Sequence, residues 1–275
     1  MSTESTDPEA HARGEHFVQS LERGLAVIRT FTEQAPSLTL SDVARETGLT
    51  RASARRFLLT LVDLGYLRSD GRAFSLTPRV LELGYAYLSA AGLPEVAQPH
   101  LERLVAEVRE SSSVSVLDGD DVVYVARVPT SRIMQVAINV GTRFPAYATS
   151  MGRVLLAGKP EAELEAYLQR VELDRLTPFT LSTVARLRTE IERVRSQGWA
   201  IVDQELEEGL RSVAAPIRDR DGTVIAAANV SAHASRASVA DIRRDLLPTL
   251  TATTARIEAD WEVATREPGR GRKAL

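Results

Sequence analysis

Residues 40–59 read LSDVARETGLTRASARRFLL, and the order of small and apolar positions in this stretch decides the fold of the first part of the chain. Counted from Leu40, the small residue Ala44 stands at position five, where two crossing helices approach each other closely. Gly48 stands at position nine, where the turn between the helices needs a residue that tolerates positive φ. Apolar residues stand at positions four, ten, fifteen and eighteen, namely Val43, Leu49, Ala54 and Phe57. The spacing predicts a helix-turn-helix, in which Thr47 is the one weak match.

The segments on either side of this window predict the rest of a small domain. Residues 17–34, FVQSLERGLAVIRTFTEQ, place apolar side chains at helical spacing and indicate a first helix. Thr50 is a suitable N-cap for a third helix that runs to about Leu64. Beyond Gly65, the sequence YLRSDGRAFSLT has two short extended runs around a Ser-Asp-Gly turn, which is typical of a hairpin. A hairpin in this place is a wing, so residues 16–77 are expected to form a winged helix-turn-helix.

The local charge favours a nucleic-acid partner for this domain. The whole chain has a net charge of −3, but residues 45–79 contain seven arginines and three acidic residues, a local charge of +4. A basic patch of this kind is the electrostatic signature of a small module that reads DNA. Two alternatives are an arginine-rich solvated surface and a three-helix bundle that binds another protein. The candidate contacts to DNA are Thr50, Arg51, Ser53, Arg55 and Arg56 on the third helix, and Arg68 and Arg72 on the wing.

Length and composition allow a second domain and argue against several classes of protein. A chain of 275 residues, 44% of them hydrophobic, is typical of a globular protein of two domains. Because cysteine is absent, disulfides, thiolate nucleophiles and cysteine-bound zinc are excluded. The four histidines (His11, His16, His100 and His233) have no metal-ligand spacing, so neither metal nor cofactor is expected. Without a signal peptide or an apolar run of about 18 residues, we expect a cytoplasmic protein with no membrane partner.

The remainder of the chain mixes strand hairpins with helices, which indicates an α+β domain. Residues 1–15 are expected to be a flexible arm, 78–94 a linker helix joining two domains, 95–262 the second domain and 263–275 a disordered tail. The predicted strands are 113–118, 121–128, 132–139, 199–203, 211–219 and 223–232, and the predicted helices are 95–110, one from near Ser150, 160–170, 182–197 and 238–261.

The most informative motif of the second domain is AYATSMGRV, residues 146–154. A helix that starts near Ser150 presents free backbone N–H groups at its first turn, and such an end attracts anions. A carboxylate would accept hydrogen bonds from the main-chain N–H groups of Ser150 and Met151 and from the Ser150 hydroxyl. Its interaction with the helix end would contribute about 0.3–1 kcal/mol. Gly152 lies in the same turn and is a further candidate for contact with the ligand. The structural alternative is that Ser150 only caps its helix.

Three stretches resemble the IclR family of bacterial transcriptional regulators over nearly the whole chain. They are SLERGLAVIRTF (20–31), LSDVARETGLTRASARRFLLTLVDLGYL (40–67) and RIMQVAINVGTRFPAYATSMGRVLLAG (132–158). The third is similar to the subgroup that controls protocatechuate, 4-hydroxybenzoate and β-ketoadipate catabolism. The resemblance implies a GAF-like effector domain, a homodimer or homotetramer, palindromic operator DNA and a small carboxylate effector. It favours the carboxylate site over a simple cap, because relatives hold the effector's carboxylate at the positions that match Ser150 and Met151.

The resemblance also places further residues near the effector. The neighbourhoods of Asp203 and Ser212 are expected to face it, and Met134 and Tyr147 would form an apolar wall. Arg127 would pair a second carboxylate, as in β-ketoadipate, unless it is a surface residue on an exposed strand. Asn229 is a further candidate whose alternative role is to satisfy backbone groups of its strand.

Catalysis is not expected of this chain. The acidic run Asp203, Glu205, Glu207 and Glu208 could supply paired carboxylates, but clustered acids on a loop are more often solvated. No spacing suggests a nucleophile, a base and a group that orients it. We therefore expect a regulator rather than an enzyme. The regulator is either an activator or a repressor, and an activator would have RNA polymerase as a further partner. The rival interpretation is a sensor whose bundle binds a protein.

Overall fold

The computed structural model of the protein describes residues 16–32, 34–84, 92–130 and 138–266. The chain divides into two compact units, Met1–Ser89 and Ala90–Leu275. Within the described ranges, no helix has the length and apolar character needed to cross a membrane.

The first unit is the predicted winged helix-turn-helix. Its sheet is antiparallel, with the strand Ser37–Thr39 paired to the second wing strand, Ala73–Leu76, which also pairs with the first wing strand, Leu67–Ser69. The strand Ser37–Thr39 is not among the predicted elements. The elements are α1 (Gln19–Arg29), β1 (Ser37–Thr39), α2 (Leu40–Thr47), α3 (Arg51–Asp63), β2 (Leu67–Ser69) and β3 (Ala73–Leu76).

Local interactions explain where α2 begins and ends. The Thr39 hydroxyl accepts from the Asp42 N–H, and the Asp42 carboxylate accepts from the Thr39 N–H at 3.1 Å, a reciprocal capping box. Gly48 ends the helix with φ of 66°, as the predicted turn requires. Thr47 fits its position because its hydroxyl donates to the Val43 carbonyl oxygen at 2.6 Å. The polar group of this weak match is thus satisfied within the helix.

The predicted linker helix over 78–94 is only partly within the described residues, and there it differs from the prediction. Pro78–Leu81 is a 3₁₀ turn capped by the Thr77 hydroxyl, and residues 82–84 are helical. The next helix begins at Leu93, inside the predicted linker segment, because Pro94 can occupy a first-turn position without losing a hydrogen bond.

The second unit is an α+β domain built on one six-stranded antiparallel sheet with the order β6-β5-β4-β9-β8-β7. Residues 132–137 of the predicted third strand lie outside the described residues, and the strand that pairs with β5 is the short segment Arg143–Pro145. The elements are α4 (Leu93–Val108), β4 (Ser111–Asp118), β5 (Asp121–Val128), β6 (Arg143–Pro145), α5 (Ser150–Ala157), α6 (Glu161–Arg170), α7 (Val184–Gln197), β7 (Ala200–Asp203), β8 (Leu210–Arg218) and β9 (Val224–His233).

The described residues after β9 form helical segments: Val239–Asp241, a π-helical turn at Ile242–Leu246, and α8 (Leu247–Arg266). The predicted tail from residue 263 therefore starts too early, since α8 continues to Arg266. Each face of the sheet is covered by helices. Helices α5, α6 and α7 pack on one face through residues such as Met151, Leu164 and Ile191, and α4 and α8 pack on the other through residues such as Leu101 and Leu250.

Candidate functional site

The exposed side of α3 carries a cluster of uncompensated positive charge. Arg51, Arg55 and Arg56 are exposed, because the opposite side of the helix buries Ala54 and Leu58 in the core of the first unit. Arg68 and Arg72 on the wing are exposed as well. Within the described part of the chain, none of these five guanidinium groups has a carboxylate within ion-pair distance. They are therefore available to an external anion.

Two other arginines counted in the sequence are not available in the same way. Arg45 makes ion pairs with Asp42 at 3.1 Å and with Glu46 at 3.4 Å. Arg79 pairs with Glu82 and also donates to the Leu64 carbonyl oxygen at 2.9 Å. The basic surface is thus narrower than the sequence count suggests and is centred on α3 and the wing.

Local hydrogen bonds fix the start of α3 and the tip of the wing. Thr50 caps α3, since its hydroxyl accepts from the Ser53 N–H at 3.2 Å and donates to the Ser53 hydroxyl at 3.0 Å. In the wing, the Asp70 carboxylate accepts from the N–H groups of Arg72 at 2.9 Å and Ala73 at 2.7 Å. These backbone hydrogen bonds, that of Ala73 first, lower the pKa of Asp70. The ionised carboxylate shapes the turn that presents Arg72.

In the second unit, a narrow cavity of about 10 Å³, room for about one water molecule, lies between the N-terminus of α5 and the sheet. It brings together four of the effector candidates, which come from one helix and two strands. The lining residues are Tyr124, Ile138, Ala148, Thr149, Ser150, Met151, Val202, Leu206, Leu210, Ser212, Asn229 and Ser231.

The α5 end of the cavity is a cluster of buried donors. Thr149, and not Ser150, caps the helix, because its hydroxyl accepts from the Gly152 N–H at 3.0 Å. Ser150 is the first helical residue, which leaves its N–H and that of Met151 without an intrahelical acceptor. Neither N–H meets an acceptor elsewhere in the described ranges. The Ser150 hydroxyl contacts the Ser212 hydroxyl at 2.9 Å, and both residues are buried.

Gly152 has a structural role in this arrangement. A Cβ atom at this position would lie 2.1 Å from the Ala146 carbonyl oxygen, far inside van der Waals contact. Its N–H is already bonded to Thr149. Gly152 therefore allows the turn before α5 to lie against the helix, and the prediction that it contacts the effector directly has no support from its position.

The sheet forms a polar floor beneath the cavity. The Asn229 side chain accepts from the Ser113 N–H at 3.0 Å and donates to the Ser231 hydroxyl at 3.0 Å. The Ser115 hydroxyl donates to the Met151 sulfur at 3.2 Å, which ties the floor to α5. Asn229 thus satisfies a backbone group, as its alternative interpretation holds, while it also lines the cavity.

The remaining effector candidates do not line the cavity. The Tyr147 hydroxyl donates to the Asp174 carbonyl oxygen at 3.1 Å, away from it. Asp203 is neutralised by Arg211, whose Nε lies 2.7 Å from the carboxylate. The half-buried Arg127 donates to the Ser113 hydroxyl at 3.1 Å, and burial lowers the pKa of its guanidinium. Met134 lies outside the described residues.

The sequence interpretation missed a buried ion pair that fixes one wall of the cavity. Arg153, only 1% exposed, donates to both oxygens of Glu205, at 2.8 and 2.5 Å, and to the Tyr147 carbonyl oxygen at 3.0 Å. Glu205 is 8% exposed, so the expectation that the acidic run is solvated is wrong for this residue. The pair fastens the loop 204–209, which carries Leu206 into the cavity, to α5. No local pattern signals a partner 52 positions away.

A winged helix-turn-helix with free arginines, followed by an α+β domain with a small buried cavity at a helix N-terminus, is the arrangement of a ligand-responsive DNA-binding regulator. The comparisons with known proteins agree. Residues 20–71 match the sequence profile of the IclR helix-turn-helix domain, and residues 85–259 match that of the bacterial transcriptional regulator IclR C-terminal domain. The chain belongs to the IclR family of transcriptional regulators.

Among curated relatives, the chain is 47% identical over 239 residues to the Pca regulon regulatory protein of Pseudomonas putida, covering 86% of this chain and 82% of the relative. It is 36% identical over 246 residues to the p-hydroxybenzoate hydroxylase transcriptional activator of Acinetobacter baylyi, covering 88% of this chain and 91% of the relative. These relatives are regulators, in agreement with the expectation that the chain is not an enzyme.

Two solved structures extend the comparison. A transcriptional regulator from Rhodococcus sp. RHA1 is similar with a TM-score of 0.81 and 59% identity, covering 91% of this chain and 100% of that one. An IclR homologue from Microbacterium hydrocarbonoxydans, complexed with 4-hydroxybenzoate, is similar with a TM-score of 0.78 and 28% identity. The match covers 89% of this chain and 99% of that one.

Proposed function

We propose that this regulator binds a small aromatic carboxylic acid in the cavity beside α5 and reads its operator through α3 and the wing. The observation that carries the proposal is the donor cluster of Ser150 and Met151, two buried N–H groups without an acceptor in the described residues, beside the Ser150 hydroxyl. Buried donors of this kind are costly to leave unpaired, and a carboxylate at a helix N-terminus would satisfy them.

The lining of the cavity suits the rest of such a ligand chemically, and its apolar side chains must move apart to admit a ring, because the cavity has room for about one water molecule. Leu206, Leu210, Val202 and Ile138 offer apolar surface to a ring, and the relatives that regulate Pca genes and p-hydroxybenzoate hydroxylase point to acids of this class. The Microbacterium homologue, which binds 4-hydroxybenzoate, supports the same class. Protocatechuate and 4-hydroxybenzoate are the first candidates.

A dicarboxylate such as β-ketoadipate is the second candidate. It is favoured by Arg127, a half-buried guanidinium that has no carboxylate partner among the residues described. A second carboxylate would provide that counter-charge. Because Arg127 does not line the cavity, this candidate also requires the ligand to displace the Arg127–Ser113 hydrogen bond.

On the DNA side, the five free arginines of α3 and the wing would contact base edges and phosphates. A homodimer or homotetramer would place two α3 helices in successive major grooves of a palindromic operator. Effector binding would change the balance between arrangements of the subunits through unequal affinity for them. We further propose a cytoplasmic location and, where the protein activates transcription, contact with RNA polymerase.

The test is fluorescence anisotropy with a labelled DNA fragment from upstream of the protein's own coding sequence, titrated with the full chain. Protocatechuate, 4-hydroxybenzoate and β-ketoadipate are then added separately. The proposal expects specific binding that weakens steeply with salt, because several phosphates are contacted, and a change in DNA affinity with one of the acids. DNA binding that none of the three acids changes, together with no heat of acid binding in calorimetry, would contradict the effector assignment.

A further inference from the structure

Tyr124 is a buried polar side chain that is not part of the donor cluster at α5. It is 4% exposed and lines the cavity. Within the described residues its hydroxyl has no hydrogen-bond partner, in contrast to Tyr147 of the same core, whose hydroxyl donates to Asp174. The hydroxyl of Tyr124 can therefore form a hydrogen bond only with a molecule that enters the cavity.

The order of the strands separates Tyr124 from Ser212. Ser212 lies on β8 and Tyr124 on β5, and β9 and β4 lie between them. With adjacent strands about 4.8 Å apart, the backbones of the two residues are separated by about 14 Å across the sheet. The cavity is therefore bordered by two separate polar groups, the hydroxyl pair of Ser150 and Ser212 and the hydroxyl of Tyr124.

The ring of Tyr124 is held in place and stays neutral. Phe144 packs against it edge-to-face, with the ring centroids 5.8 Å apart. The backbone of Tyr124 is fixed by hydrogen bonds with Thr142 at 3.0 Å and Gly141 at 2.7 Å. Burial raises the pKa of Tyr124 to about 12, so the group is a neutral hydroxyl at any physiological pH. A neutral hydroxyl can both donate a hydrogen bond and accept one.

We propose that Tyr124 is a specificity-determining residue that hydrogen-bonds a ring hydroxyl of the effector and thereby selects hydroxylated aromatic acids over unsubstituted ones. This inference rests on the proposed function, since it concerns the same cavity. A site that pairs a ligand hydroxyl discriminates against the analogue lacking it, because the protein group is then left unpaired.

The experiment measures the affinity of the full chain for 4-hydroxybenzoate, 3-hydroxybenzoate and benzoate by isothermal titration calorimetry. It compares the natural protein with Tyr124→Phe, which removes one oxygen atom and keeps the ring. Tyr147→Phe is the matched control, since it removes a hydroxyl from the same core that is bonded to Asp174 and does not line the cavity. Thermal melting of each variant reports whether it folds.

For the natural protein we expect at least one hydroxybenzoate to bind about tenfold more tightly than benzoate. Tyr124→Phe should remove most of this preference by weakening the hydroxybenzoate, with benzoate changed by less than about twofold. Tyr147→Phe should leave the preference intact. A purely structural role would weaken all three acids together, and that result would overturn the inference.

Failure of the inference and failure of the proposed function are distinguishable. If benzoate and both hydroxybenzoates bind the natural protein with equal affinity, the aromatic-acid site stands and the role of Tyr124 is refuted. If none of the three binds, and protocatechuate does not bind either, the aromatic-acid site itself is refuted. The comparison within the natural protein needs no variant, so it can still refute the inference if Tyr124→Phe does not fold.

Discussion

The hydroxyl oxygens of Ser150 and Ser212 lie 2.9 Å apart, although 62 positions separate the two residues in the chain. One belongs to the first turn of α5 and the other to β8, so their contact crosses the carboxylate end of the cavity. Each hydroxyl can rotate to donate to a different acceptor. A bound carboxylate would take the place of this mutual hydrogen bond and accept from both.

Two substitutions at Ser150 distinguish the contribution of its hydroxyl from that of its main-chain N–H. Ser150→Ala removes only the hydroxyl, whereas Ser150→Pro removes the hydroxyl and the N–H. Proline is well tolerated here, because Ser150 is the first helical residue and the preceding Thr149 is already extended, with φ −118° and ψ 148°. We expect acid affinity to fall about threefold to tenfold in Ser150→Ala and further in Ser150→Pro, measured by calorimetry.

Both variants should melt within a few degrees of the natural protein, since the cap residue is Thr149. If Ser150→Pro folds and binds the acid as well as Ser150→Ala does, the main-chain N–H of Ser150 takes no part in binding. An unchanged affinity in both variants would remove the carboxylate from this end of the cavity.

Gly152→Ala tests the close approach of α5 to the turn before it. The added Cβ would meet the Ala146 carbonyl oxygen at 2.1 Å, so the backbone of one segment must move. We expect a loss of about 1–3 kcal/mol of stability, the usual cost of such overpacking, and a weakened acid site. The measurement is urea denaturation followed by far-UV circular dichroism.

The matched control for this variant is Gly24→Ala. Gly24 also lies in a helix, α1, but its Cβ would meet only Phe57 Cδ1 at 3.9 Å, an ordinary contact. Alanine should there be neutral or stabilise the first unit by about 0.5–1 kcal/mol. Equal effects of the two substitutions would show that the Ala146 contact is relieved at little cost.

How much of this could be foreseen depends on the range of the interactions. The helix-turn-helix and its wing follow from local signals, because Ala44, Gly48 and the Ser-Asp-Gly turn each constrain the backbone at their own position. The six strands of the second unit were anticipated only in part. The short strand Arg143–Pro145 has no alternation to reveal it, since only three residues pair with β5.

The cavity was harder to predict than the fold for a physical reason. Ser150 and Met151 could be found from the AYATSMGRV motif, because a helix start is encoded within a few residues. Tyr124 resembles any apolar residue of an alternating strand, and its role depends on β9 and β4 lying between β5 and β8. The partners Arg153 and Glu205 meet only through tertiary packing, so neither carries a local signal.

The Arg153–Glu205 pair leads to a third prediction. Arg153→Met leaves the carboxylate of Glu205 buried without its guanidinium partner. Among the described residues, the carboxylate then keeps one hydrogen bond, from the Leu181 N–H at 3.1 Å. An unpaired buried charge of this kind is expected to cost about 3–5 kcal/mol of unfolding free energy, measured in urea. The double change Arg153→Met with Glu205→Leu removes both charges and should recover much of that loss.

The exposed pair Lys159–Glu163 is the control, with its atoms 2.9 Å apart. Lys159→Met should cost less than about 1 kcal/mol, because solvated ion pairs contribute little. The prediction is wrong if Arg153→Met is no more destabilising than Lys159→Met, or if the double variant is worse than the single one.

The last prediction concerns the DNA-reading surface. Arg51 and Arg55 are one helical turn apart on the exposed side of α3, and within the described chain neither has a carboxylate partner. Replacing both with alanine should abolish specific operator binding in fluorescence anisotropy. It should leave calorimetric binding of the acid unchanged, because the substitutions lie in the first unit and the cavity in the second. Alanine favours helices, so α3 should remain folded.

Arg45→Ala is the matched control for these substitutions, since Arg45 is also exposed on a helix of the motif but is already paired with Asp42 and Glu46. It should change operator affinity far less than the double variant. The dependence of affinity on salt supplies a second criterion, because each lost phosphate contact lowers the slope by about one. A double variant that keeps both its operator affinity and its salt slope would show that α3 does not contact the DNA, and the interpretation of the bundle as a protein-binding surface would then be preferred.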